Sequence, residues 1–147
     1  MTREDAAVAV PGAGPAEPLA VVAAAIVQEG RLLVVSKQAA PDVFYLPGGK
    51  PDAGEAPLEA LCRELDEELG VEPLQPRLLA HIDSVAALEG VPMRLTLFEA
   101  RIDRPPRPAA ELARLRWISG EATELRLAPA VTDHVLPLLR RRGSMKP

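Results

Sequence analysis

Apolar positions along this chain change period, and each change marks an element. Leu19 to Val27 is almost continuously apolar; Gln28-Glu29-Gly30 interrupts it, and Arg31–Ser36 carries a second run, Leu32 to Val35. The pattern predicts two strands joined by a tight turn, the second buried on both faces. Lys37–Asp42 reads as a loop, Val43–Leu46 as a short apolar piece, and Pro47-Gly48-Gly49-Lys50 as a turn. The period then lengthens. Leu58, Leu61, Leu65 and Leu69 recur at helical spacing, which predicts a helix over Pro57–Leu69. Pro57 suits its first turn, Glu55 its positive end, and Gly70 its left-handed stop. Downstream, Arg77–Val85, Pro92–Ile102 and Leu115–Ile118 read as strands, and the proline-rich Arg104–Ala110 as a loop. Ala128–Arg140 reads as a second helix with Val131, Val135, Leu138 and Leu139 on one side, and Pro137 should kink its last turn. Such loose alternation predicts an α/β fold, a mixed sheet packed between helices.

At 147 residues the chain has room for one core without disulfides. Residues 1–18, rich in Ala, Pro and Gly, read as a flexible lead-in; 19–142 forms the domain and 143–147 a tail. The net charge of −4 argues against long nucleic acid as a partner. No apolar run approaches the ~20 residues that span a bilayer. The single cysteine, Cys62, forms no CxxC pair, which fits a reducing cytoplasm, and its place beside the leucine stripe predicts a buried thiol.

The chemistry concentrates in Arg63-Glu64-Leu65-Asp66-Glu67-Glu68. At ~100° per residue, Glu64, Glu67 and Glu68 fall on one face, next to the leucine stripe. Like charges at these spacings cost a helix ~0.2–0.5 kcal/mol per pair, and they lie near the end where the macrodipole disfavours anions. A bound divalent cation reverses both penalties, and carboxylate oxygens shared with substrate phosphates are the usual site for Mg²⁺.

Gly49, then Glu55, then Arg63-Glu64-Leu65-x-Glu67-Glu68-x-Gly70-Val71 resembles the complete Nudix box, preceded by Leu46-Pro47-Gly48 and containing Lys50. The resemblance implies a single-domain αβα sandwich around a mixed sheet. It also implies Mg²⁺ or Mn²⁺ held by Glu67 and Glu68, with Glu64 as a further ligand or as the base that deprotonates water. By the same resemblance Arg63 would hold a glutamate in position, Gly48 would offer its carbonyl to metal, and Glu55 would fix the loop to the helix. Gly49 and Gly70 would be structural. A homodimer is common in the family, but no interface is legible in this sequence.

Relatives recruit one further glutamate from a later loop. Glu111 is the first candidate, Glu99 its rival, and Glu121 a distant third. The nucleotide needs a flat apolar wall, for which Phe44 and Tyr45, beside the glycine turn, are candidates, while Trp117 reads as core. Lys37 and Lys50 are the cations to place against phosphates.

The implied activity is hydrolysis of a phosphoanhydride bond in a nucleoside diphosphate linked to another group, with water attacking phosphorus. The alternative is a nucleotide-sensing module on the same fold, against which the full set of Arg63 and three glutamates argues. An isomerase would need catalytic residues not identifiable here. The chain has no asparagine, so the amide pairing that often reads a purine is scarce.

Overall fold

The computed structural model describes residues 17–120 and 124–145. All but two residues of the lead-in expected over 1–18 lie outside it, as do Glu121 and the last two residues of the tail. In chain order the strands are β1 (Leu19–Ala25), β2 (Val27–Gln28), β3 (Arg31–Lys37), β4 (Ala40–Tyr45) and β5 (Gly48–Gly49). Helix α1 (Pro57–Leu69) follows, then β6 (Pro73–Val85), β7 (Pro92–Ile102), β8 (Leu112–Ile118) and β9 (Arg126–Leu127). A π-helical turn (Val131–Val135) leads into α2 (Leu136–Arg141).

The mixed sheet is divided in two. One part runs β5-β1-β7-β6, with β1 parallel to β7 and its other pairings antiparallel. In the other, β3 lies at the centre, antiparallel to β2, β4 and β8, and β9 adds to β4 in parallel. Leu33 N–H donates to Ile26 O at 2.9 Å and Ala24 N–H to Pro47 O at 3.0 Å, which stitches the segments together.

The near-continuous apolar runs follow from burial on both faces. Val22 and Ala24 of β1, with Leu33 and Val35 of β3, pack in one core with Leu61, Leu65 and Leu69 of α1. Ala23, Ala25, Leu32 and Val34 point the other way, into a core with Val131, Val135, Leu136 and Leu139. The layers are therefore helix, sheet, helix.

Helix α1 has the predicted bounds. Glu59 Oε1 accepts the Ala56 N–H at 2.9 Å at its start. Gly70, at φ 66°, ends it with its N–H on Asp66 O at 3.0 Å. Leu58, in the first turn, is 39% exposed, so the buried stripe comprises Ala60, Leu61, Leu65, Glu68 and Leu69. Cys62 is exposed rather than buried, because it sits just outside that stripe. Phe44 is 2% exposed and belongs to the core, not to a substrate wall. Trp117 packs half-buried against the α1 core.

Several boundaries differ from the sequence expectation, among them the start of β8 at Leu112 rather than Leu115. Most of the expected Lys37–Asp42 loop is strand, with the turn confined to residues 38–39. Strand β6 begins at Pro73, not Arg77. It lies at a sheet edge, where missing proline donors are tolerated, and its register shifts between Leu74 and Arg77. The second helix runs on through Pro137 but widens to a π-helical turn before it, rather than kinking after it. Proline offers no N–H to the preceding turn, and the Leu136 N–H reaches five residues back to Val131 O.

Candidate functional site

The glycine turn pairs with Val22 and Ala23 in the middle of β1 and meets the carboxylate face of α1 there. Gly48 N–H donates to Glu68 Oε1 at 3.2 Å. Glu68 is only 4% exposed, and burial, reinforced by the charge of Glu64, pushes its carboxyl up to about 8. Glu64 is raised as well, chiefly by burial. Gly49 faces Glu64 so closely that a Cβ there would collide with the carboxylate. Gly48, at φ 151°, has the backbone of Val22 and Ala23 where a side chain would stand.

Arg63 organises the outer half. Its Nε donates to Glu55 Oε2 at 2.9 Å and its Nη2 to Glu55 Oε1 at 2.8 Å, a bidentate fork. Nη2 also reaches Lys50 O at 3.2 Å, and Nη1 reaches Glu67 Oε1 at 3.2 Å. The fork, together with the Asp52 N–H bond, holds the Glu55 carboxyl down at about 2. The same fork holds the Arg63 guanidinium above its ordinary value. Loop 50–55 is thus tied to the helix by an arginine clamp.

Inside these elements lies a cleft of about 470 Å³. Its lining joins the polar side chains of Lys37, Tyr45, Lys50, Arg63, Glu64, Glu68 and Glu111 to the apolar Leu19, Val21, Met93, Leu95, Ala130 and Val131. Lys37 pairs with Glu111 at 3.4 Å and Lys50 with Glu89 at 3.4 Å. Among the residues proposed from sequence, Glu67 sits on the exposed rim, facing Arg63 rather than the cleft. Glu55 and Gly70 support the helix from outside the cleft. Glu99 is elsewhere: it binds Arg77 at 2.6 Å and Arg142 at 3.6 Å, across a separate surface hollow.

Glu89 and Asp52 also line the cleft, and no sequence pattern marks them. Both are acidic residues in loops, which nothing but tertiary placement distinguishes from solvated surface. Among the described residues no three acidic, cysteine or histidine side chains are already drawn into a metal-holding cluster. Arg63 accounts for this on the α1 face, since it turns Glu67 toward itself and stands 3.7 Å from Glu64.

Residues 17–139 match the NUDIX domain family. The chain belongs to the Nudix family. The solved MutT Nudix hydrolase from Burkholderia pseudomallei is 29% identical with a TM-score of 0.73, over 84% of this chain and 99% of its own. A solved UDP-X diphosphatase is 26% identical with a TM-score of 0.71, over 90% of this chain and 67% of its own. The Haemophilus influenzae 8-oxo-dGTP diphosphatase is 59% identical over 32 residues, 22% of this chain and 24% of that one. A Mycobacterium tuberculosis relative, assigned provisionally by name to the same activity, is 49% identical over 55 residues, 35% of this chain and 39% of its own. The matched segments thus span well under half of these curated relatives. No helix among the described residues of this Nudix chain is long and apolar enough to cross a membrane.

Proposed function

We propose that this Nudix chain is a pyrophosphohydrolase that cleaves a phosphoanhydride bond in a nucleoside diphosphate linked to another moiety, with water attacking phosphorus. One observation carries the reading: a single cleft joins the carboxylates of α1 and two lysines to an aliphatic recess. A diphosphate chain suits the first end and a nucleoside the second.

A hard divalent cation, Mg²⁺ or Mn²⁺, fits the donor set. Glu68 is a buried carboxylate whose charge is disfavoured by burial and by Glu64, and a cation relieves both penalties. Glu64, Glu67 and Glu68, with the Gly48 carbonyl and Glu111, are the residues that would hold it. Glu67 would exchange its Arg63 bond for the metal. When bound, such an ion lowers the pKa of water and neutralises phosphoryl oxygens.

The protein's own groups do the rest. Glu64 would either hold the ion or accept the proton of the attacking water, and its position against Gly49 and its raised carboxyl support the second role. Arg63 positions it by fixing the Gly49–Glu55 loop to the helix. Lys37 and Lys50 draw the phosphate chain in by exchanging Glu111 and Glu89 for phosphate oxygens. Leu19, Met93, Leu95 and Val131 receive the nucleoside by contact area, and none of the three glutamines lines the cleft. This favours discrimination by the diphosphate rather than by an amide code for one purine.

The test is product release from nucleoside triphosphates, 8-oxo-dGTP, nucleotide sugars and ADP-ribose with Mg²⁺ or Mn²⁺ at mildly alkaline pH. Metal-dependent turnover lost in Glu67→Gln is the expected result. Nucleotide binding without turnover on any compound would replace the hydrolase with a nucleotide-sensing module.

A further inference from the structure

The cleft contains one donor with nothing to donate to. The Tyr45 hydroxyl is buried and has no hydrogen-bond partner among the described residues. An unmet buried hydroxyl is costly, and a phenyl ring of the same shape would avoid the cost. The ring cannot easily swing away to find a partner. Tyr45 pairs with Val35 across the sheet and packs against both apolar cores. Ser36 Oγ, the other such hydroxyl among the described residues, does not line the cleft, whereas Tyr45 does.

The neighbouring side-chain donors are all engaged. Arg63 is committed to Glu55, Lys37 to Glu111 and Lys50 to Glu89. Tyr45 lines the cleft together with them. Resting on the reading of the cleft as a site for diphosphates, we infer that the Tyr45 hydroxyl donates a hydrogen bond to a phosphate oxygen of the substrate. An incoming diphosphate chain that parts the Lys37–Glu111 and Lys50–Glu89 pairs reaches the hydroxyl and supplies the acceptor that the protein lacks. Burial and the charges of Glu68, Glu111 and Glu89 raise the phenol, so it stays protonated and acts only as a donor. Tyr45 is then a phosphate-positioning residue rather than the flat wall for a base.

The chain has a single tyrosine, so ¹³Cζ-labelled tyrosine gives one NMR signal that reports on Tyr45 alone. In the full chain with Mg²⁺, inorganic pyrophosphate should shift that signal and adenosine should leave it in place. Tyr45→Phe should bind pyrophosphate roughly 10- to 100-fold more weakly by calorimetry, with a melting temperature equal to or above that of the parent. A signal indifferent to pyrophosphate, or an unchanged affinity in Tyr45→Phe, overturns the inference. A lowered melting temperature with unchanged affinity overturns it in favour of a partner within the protein, one of the three carboxylates. These are binding measurements, so absence of turnover would count against the proposed hydrolysis and not against Tyr45. Turnover with a silent Tyr45 would do the reverse.

Discussion

Arg63 and Glu55 are joined by two parallel hydrogen bonds, 2.9 Å from Nε and 2.8 Å from Nη2. The pair fixes the glycine loop to the middle of α1 while Arg63 keeps Nη1 for Glu67 at 3.2 Å. A lysine carries the same charge without the planar fork. Arg63→Lys should therefore lower kcat roughly 10- to 100-fold, with a melting temperature within a few degrees of the parent. Steady-state kinetics beside a thermal melt checks this; a large loss of stability with unchanged kcat would make the clamp merely structural.

Adjacent glycines should respond differently to the same methyl group. At Gly48 an added Cβ meets the Val22 carbonyl and lies 2.7 Å from Ala23 Cα, and the backbone is at φ 151°. Neither obstacle can move, so Gly48→Ala should cost stability on the order of 2 kcal/mol or more by denaturant unfolding. At Gly49 the obstacle is the flexible end of Glu64. Gly49→Ala should fold nearly as well as the parent yet lose activity about 10-fold or more, because Glu64 is displaced.

Glu68 makes the metal-free protein pH-sensitive. Its folded carboxyl is raised from 4.5 to about 8, so the folded state binds more protons than the unfolded state between those values. The stability this confers is complete below pH 4.5 and lost as the pH rises through about 8. Thermal melts in chelator should fall across that interval, Glu68→Gln should flatten the fall, and Mg²⁺ should restore stability at the alkaline end. Glu55 acts in the opposite direction, since its carboxyl is lowered to about 2 and its contribution disappears as the pH drops from 4.5 toward that value.

Glu111 and Glu99 separate cleanly. Glu111 lines the cleft against Lys37, whereas Glu99 is held between Arg77 and Arg142 outside it. Glu111→Gln should reduce kcat/KM about 10-fold or more and weaken metal activation. Glu99→Gln should leave kinetics near the parent value. Equal effects of the two would remove Glu111 from the site.

The box was legible because its chemistry is local. Helical spacing alone puts Glu64, Glu67 and Glu68 on one face beside Leu61, Leu65 and Leu69, and Pro57 and Gly70 bound the helix by their own backbone preferences. The apolar runs of β1 and β3 announced strands buried on both sides for an equally local reason, alternation between two cores. Pairwise geometry across the chain was not legible. The identity of neighbours distant along the chain is set by how the sheets and loops close, which no local period encodes.

So Tyr45 lines the cleft while Phe44, one residue before it, is buried in the core. Glu89 was indistinguishable in sequence from a surface carboxylate until its loop set it against Lys50, and the choice of Glu111 over Glu99 waited on the contact with Lys37. Leu58 and Cys62 carry apolar character at α1 positions that the sheet does not cover. Helix capping and carboxylate spacing were determined by the sequence itself, since each depends on a few neighbouring residues. Tertiary structure alone decided which face is covered, which charges meet and which buried hydroxyl is left without a partner, because those depend on packing between distant segments.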